Sequence, residues 1–287
     1  METIDIIEVK SKKIEKSETW DKRYEIVRKD IKTSFWGDFV FGGLLVSGIF
    51  IIVESLELPR VYNLTIGIII LSIALIMIFG RLLWPLYAQR LIMKYMILAK
   101  KYYENGAYKE AILCIDKVLK YDSEYKHGWN SKGNILSDAG IFLEAIQCYD
   151  KALVIDFNYK EAWHNKGRAL YNILKFEDAL DCFDHVLIID PNDKQVWSYK
   201  GMTLGYMGNY EGASKCFYKA LEIDSEFGDS YYNLACIESL KGAKEEALKF
   251  LKKAIDLNGV FMEYAYFDDD FNNFREDEEF INLVRPT

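Results

Sequence analysis

The chain has 287 residues, a formal charge of −8 and 51% hydrophobic residues, enough apolar side chains to bury a core. The acidic balance argues against nucleic-acid binding, which calls for a basic stripe, and the ordinary charged fraction of 28% argues against intrinsic disorder. Four prolines suit a mostly helical protein, and five cysteines without a C-x-x-C pair read as reduced thiols.

Residues 1–34 alternate charges, as in "KSKKIEKSETWDKRYEIVRKDIK", and carry Ile14, Tyr24, Ile26, Val27 and Ile31 at loosely helical intervals. They read as a charged segment lying on a membrane surface, against the rest of the chain, or in solvent. Residues 35–81 read as a two-helix transmembrane hairpin. Its second leg, 61–80, "VYNLTIGIIILSIALIMIFG", holds no charged residue, and at 1.5 Å per residue it matches a bilayer core of about 30 Å. The first leg, 36–53, is weaker because it includes Asp38; the loop "ESLELPR" between the legs contains Pro59, as a tight turn would. Lys22, Arg23, Arg28, Lys29 and Lys32 precede the pair and Arg81, Arg90, Lys94 and Lys100 follow it, against Arg60 alone in the loop. That asymmetry predicts an integral membrane protein with both termini in the cytoplasm and the lipid bilayer as one partner.

A second pattern begins near residue 92. Tyr95, Trp129, Trp163, Trp197 and Tyr231 recur every 34 residues, as do Ala99, Gly133, Gly167, Gly201 and Ala235. Ala111, Ala145, Ala179, Ala213 and Ala247 keep the same interval, and so do Val118, Ala152, Val186, Ala220 and Ala254. A fixed period over five copies marks a repeat architecture. Each copy reads as two helices, for example 161–172 and 176–189, joined near Leu174; the other copies put Gly106, Gly140, Gly208 and Gly242 at that joint. Glycine takes the positive φ that ends a helix, and the small residues let neighbouring helices approach. One helix pair cannot bury its apolar face alone, so the copies must stack into a solenoid.

Trp163, Gly167, Leu170, Ala179, Phe183, Val186 and Pro191 follow the pattern W-x2-L-G-x2-Y…A-x3-F…A…P. On these residues the chain resembles the tetratricopeptide repeat family over 92–259. The resemblance implies an all-α solenoid of five helix-turn-helix repeats. Two departures stand out: Lys132, Lys166 and Lys200 occupy the usual leucine position before the glycine, and the closing proline occurs only at Pro191. A lysine stem still covers apolar surface while its amine reaches water, which keeps the fold intact. Residues 260–287 resemble the closing segment that follows such arrays, with Phe271, Phe274, Phe280 and Leu283 covering the last repeat. The competing reading of "DDDFNNFREDEE" as a calcium loop fails at Asn273, where the sharp turn needs glycine.

Cys114, Cys148, Cys182 and Cys216 share one register position, and Cys236 breaks it. Stacked repeats lie about 10 Å apart, whereas a disulfide needs Cα atoms within about 7 Å, so the thiols read as packing residues. His127, His164 and His185 occupy three different repeat positions, so stacking does not gather them into a metal site. No phosphate-binding loop or nucleophile elbow is present. The expectation is a protein without catalytic residues, cofactor, metal or small-molecule substrate.

The resemblance also implies a concave face built by the first helix of each repeat, along which an extended peptide lies. The residues expected there are Asn130, Asn134, His164, Asn165, Arg168, Tyr171, Tyr199, Tyr206, Tyr232 and Asn233, with His127 and Asn172 beside them. Asparagine donates to and accepts from a peptide backbone at once, and tyrosine adds rigid contact area. Asn134 and Asn165 match two asparagines with which a subfamily grips a C-terminal carboxylate, but Asn130, Gln195 and Tyr199 stand where its basic residues would be. The expected function is a membrane-anchored adaptor that binds a protein or peptide partner in this groove. The alternative is a structural subunit of a membrane complex, with the hairpin packed against other spans.

Overall fold

The computed structural model describes residues 72–73, 84 and 86–285, and all the described residues before 105 are helical. The chain divides into two compact units, 1–91 and 92–287.

The expected membrane location is not upheld. No helix among the described residues is long and apolar enough to cross a membrane. The segments assigned to the hairpin, and the charged segment 1–34, lie outside the described residues except for Ser72 and Ile73. Hydropathy and the flanking basic residues are the whole basis of that expectation.

The second unit is all helical among its described residues. Five helix pairs follow one another: α1 (92–104) with α2 (Tyr108–Tyr121), α3 (Lys126–Asp138) with α4 (Phe142–Ile155), and α5 (Lys160–Asn172) with α6 (Phe176–Ile189). The series continues with α7 (Lys194–Tyr206) and α8 (Tyr210–Ile223), then α9 (Gly228–Leu240) and α10 (Lys244–Leu257). A short α11 (Val260–Phe267), a 3-10 helix (Asp269–Phe274) and α12 (Glu278–Val284) close the chain.

The second helices bury residues at i, i+3, i+4, i+7 and i+8. In α6 these are Ala179, Cys182, Phe183, Val186 and Leu187, the spacing of an amphipathic helix with one face on a core. The recurring cysteine sits within that stripe. All five cysteines are free and buried, and burial pushes the thiols up, Cys182 to about 12 and Cys216 to about 11.

Facing the stripe, the first helices carry the glycines. A Cβ on Gly167 would lie 2.6 Å from a Phe183 ring carbon, and one on Gly201 2.6 Å from Phe217; at Gly133 the gap to Tyr149 would be 2.4 Å. The glycine therefore makes room for an aromatic ring of its own repeat. In the first and last repeats, where the small residue is Ala99 or Ala235, the facing residue is the smaller Ile115 or Leu251. The recurring tryptophans do something else: Trp129, Trp163 and Trp197 donate their indole N–H to Ser123, Phe157 and Pro191 carbonyls at 2.9, 2.7 and 2.9 Å. They pin three of the loops between repeats.

The joints inside the repeats share one geometry. Gly106, Gly140, Gly208 and Gly242 have φ of 71–78°, and Leu174 takes the same left-handed conformation at 62°. Behind each, the next amide reaches five residues back, as Lys175 N to Leu170 O at 3.0 Å, which closes the helix as a Schellman motif.

The lysine departures find partners in the preceding repeat. Lys132 meets Asp116 and Lys166 meets Asp150, each at 2.6 Å, and Lys200 pairs with Asp184. The same lysines lie 5.4–6.0 Å from the ring centroids of Trp129, Trp163 and Trp197. Where the family's usual leucine returns, as Leu234, the aspartate position holds Tyr218. A second ladder joins Lys126 to Asp156, Lys160 to Asp190 and Lys194 to Asp224. Each of these aspartates also accepts from an amide two residues on, so one side chain shapes the loop and anchors it.

At the C-terminal end, Phe271, Phe280 and Val284 pack on Ala235, Cys236 and Leu251, with Phe274 and Leu283 partly buried beside them. Asp268 caps the 3-10 helix and Asp277 caps α12. The acidic run supplies helix caps and solvated surface.

Candidate binding groove

Contacts between first helices of successive repeats follow one offset of 35 residues. Asn165 donates to Asn130 at 3.1 Å, and Asn233 donates to Ser198 Oγ at 3.3 Å. The same two positions between α5 and α7 hold His164 and Tyr199, which meet ring edge to ring face with centroids 5.5 Å apart. A ring cannot satisfy an imidazole nitrogen as an amide can. His164 Nε2 is accordingly buried without a hydrogen-bond partner. Burial, and then the nearby Arg168, lowers the His164 pKa and favours the neutral ring.

Around His164 lies a cavity of about 460 Å³. It takes His164 and Arg168 from α5, and Gln195, Ser198, Tyr199 and Met202 from α7. Asp229, Tyr232 and Asn233 of α9 continue the wall, with Phe227 just before that helix. Phe261 and Tyr264 of α11 close the end, and the Phe261 ring stacks on Tyr232 at 5.2 Å. No second helix of a repeat contributes to the lining. Arg168 is exposed, and its guanidinium lies over the Tyr199 ring at 5.5 Å.

The expected groove residues divide into four groups. His164, Arg168, Tyr199, Tyr232 and Asn233 line the cavity together. Asn130 and Asn165 are spent on each other, and Asn130 is buried at 7% exposure rather than open to the groove. Asn134 accepts from the Tyr149 hydroxyl at 2.9 Å and lines a separate cavity of about 380 Å³ with Met96, Ile97 and Tyr103. Tyr171 and Tyr206 pack edge to face at 5.6 Å outside the larger cavity. His127 binds the Tyr159 hydroxyl at 2.9 Å, and Asn172 donates to the Arg168 carbonyl at 3.0 Å.

Sequence reasoning missed Ser198, Met202, Phe227, Asp229, Phe261 and Tyr264. Asp229 stands at the register position of His127, one repeat unit multiplied by three, so the period contained it. Phe261 and Tyr264 follow the last repeat and have no register to betray them.

Among the described residues, Cys236, Asp268 and Asp270 bring three potential metal ligands within 4.8 Å of one another. Their present contacts are those of a structural joint. Tyr232 donates its hydroxyl to Asp268 at 2.6 Å, the Cys236 thiol reaches the same oxygen at 3.8 Å, and the Asp270 amide donates to the other oxygen at 3.0 Å. Burial holds the Cys236 thiol well above its usual range, so it stays protonated and can donate. The cluster ties the closing segment to α9.

No curated protein matches this sequence. Among solved structures, the chain is similar to MamA, at 25% identity and a TM-score of 0.52, covering 58% of this chain and 97% of MamA. It shares its fold with YrrB, described as a tetratricopeptide repeat protein with an unusual peptide-binding site, at 24% identity and a TM-score of 0.50 over 60% of this chain and 89% of YrrB. The fold also matches PilF of Pseudomonas aeruginosa, at 16% identity and a TM-score of 0.56, covering 68% and 90%. Tetratricopeptide repeat family profiles match residues 98–162, 160–193 and 195–258, more than half of the 287 positions. With period, helix pairing and sequence profiles in agreement over that span, the chain belongs to the tetratricopeptide repeat family.

Proposed function

We propose that the chain is a non-catalytic interaction scaffold that holds a segment of a partner protein against the first-helix face of its repeats. One observation carries this reading. The cavity at α5, α7 and α9 presents an exposed arginine, an exposed aspartate and five aromatic rings, the mixture of anchors and polar contacts that recognition uses. The shared fold with YrrB supports it, since that protein carries a peptide-binding site.

The test is capture of partners from cell extract on immobilised full chain, comparing wild type with Arg168→Ala combined with Tyr264→Ala. Both side chains are exposed, so the fold is spared. Loss of a specific partner supports the groove. An unchanged partner set refutes it and favours a fixed structural subunit. The second-helix face is the surface for that reading: Val154 and Ile188, 34 residues apart, are 88% and 77% exposed, and Phe157 lies near them in sequence at 60%.

A further inference from the structure

The charges bordering the cavity are few, and most are already paired. Lys160 holds Asp190 and Asp193, and Lys194 holds Asp224. Asp268 receives Tyr232 and Cys236. Two lining charges have no ion pair or side-chain hydrogen bond among the described residues: Arg168 on α5 and Asp229 in the first turn of α9. They are of opposite sign and belong to alternate first helices, with α7 between them. The surface joining them is largely aromatic, with Tyr199 on the Arg168 side and Phe227, Tyr232, Phe261 and Tyr264 on the other. A chain lying across this surface meets a cation at one end, rings in the middle and an acid at the other end.

Resting on the groove reading above, we infer that the cavity takes an extended peptide that carries opposite charges at its two ends: an acidic residue at Arg168, an aromatic residue over the rings and a basic residue at Asp229. Neighbouring first helices pack about 10 Å apart, which puts α5 and α9 about 20 Å apart. An extended chain covers that distance in about six residues at 3.3 Å each. The guanidinium offers a planar fork suited to a carboxylate, and its stacking on Tyr199 holds that plane in place. Desolvation raises the Asp229 pKa while the nearby Lys194 opposes that shift, and a partner cation would further favour the ionised form.

Two fluorescein-labelled decapeptides test the inference. One carries lysine, phenylalanine and glutamate, with about six residues between the charges; the other has glutamate in place of the lysine. Fluorescence anisotropy with the full chain should show the mixed-charge peptide binding about fivefold more tightly, the effect of turning one exposed attraction into a repulsion. Asp229→Arg makes both ends of the cavity basic and should invert that preference. Asp229 is exposed, and circular dichroism checks that the variant folds. Equal binding of the two peptides, a preference that survives Asp229→Arg, or binding of neither peptide overturns the inference. In any of those cases, partner capture that still depends on Tyr264 leaves the groove itself as the working site. Capture indifferent to Tyr264 and Arg168 removes both readings.

Discussion

The contact between Gly167 and Phe183 allows a quantitative test of how each repeat is packed. In Gly167→Ala the new methyl would sit 2.6, 2.9 and 3.1 Å from three carbons of the Phe183 ring. Distances below 3.0 Å cannot stand, and Phe183 is fully buried against Ala179, Val186 and Val196, so the ring has little room to retreat. Overpacking of this kind costs about 1–3 kcal/mol. Alanine regains about 1 kcal/mol over glycine inside a helix, which leaves a net loss of roughly 0–2 kcal/mol. Phe183→Leu alone removes ring carbons facing the glycine and should cost about 1–2 kcal/mol as a cavity. The double variant recreates the combinations that the chain itself uses, Ala99 with Ile115 and Ala235 with Leu251. The methyl then occupies the space the ring vacates, and the helix keeps the propensity gain. We expect the double variant within about 1 kcal/mol of wild type, a favourable coupling of about 1–3 kcal/mol. Urea unfolding followed by circular dichroism at 222 nm measures all four proteins, and midpoints suffice where a repeat array departs from two-state behaviour. Additive single and double effects would refute the account, because they would mean the glycine is not there to admit the ring.

Three further outcomes follow from the geometry. Leu174 is 70% exposed at φ 62°, so Leu174→Gly loses little burial, relieves about 1–2 kcal/mol of left-handed strain and gives back about 0.4–1 kcal/mol to the unfolded chain. The urea midpoint should rise, and a lower one would contradict the strain. Asp190 is held below the usual carboxylate range by Lys160, first through their hydrogen bond. A depressed carboxylate stabilises the fold above its unfolded pKa, near 4, and the gain is lost as pH falls through the folded value. Lys160→Met should therefore melt below wild type at about pH 7 and converge on it at about pH 2, and parallel curves would exclude the ion pair as the cause. Burial raises the pKa of all five cysteine thiols, so the native protein should react slowly with a thiol reagent at about pH 8 and release every thiol in denaturant; rapid native labelling would place one at the surface.

The parts of this fold that the sequence makes legible are those repeated in place. Five alanines at one register position are all fully buried, and four glycines at one joint foretell the conformation that Leu174 adopts without being glycine. The lysines that depart from the family pattern carry their explanation 16 residues upstream, in Asp116, Asp150 and Asp184, but only stacking brings those residues together. The groove is less legible for the same reason. A register position says which way a side chain leaves its helix, not whether the next repeat consumes it. Asn130 and His164 hold equivalent positions, yet one is satisfied by Asn165 and the other is left with an orphan nitrogen because its counterpart is Tyr199. The rings of α11 lie beyond the period altogether.

Comparing the five copies with one another separates frame from function. At the packing positions the copies nearly agree: alanine at 111, 145, 179, 213 and 247, and valine or alanine seven residues on. At the position of His164 they read Met96, Asn130, His164, Ser198 and Tyr232; at that of Arg168 they read Lys100, Asn134, Arg168, Met202 and Cys236. The position of Asp229 gives Met93, His127, Glu161, Gln195 and Asp229. A residue whose work is to hold a repeat against its neighbour is needed equally in every copy, so the copies stay alike. A residue that meets a partner serves one place along the groove, and its equivalents elsewhere face different chemistry. Divergence among otherwise matching repeats therefore falls where recognition is expected. In this chain it coincides with the cavity walls of α5, α7 and α9.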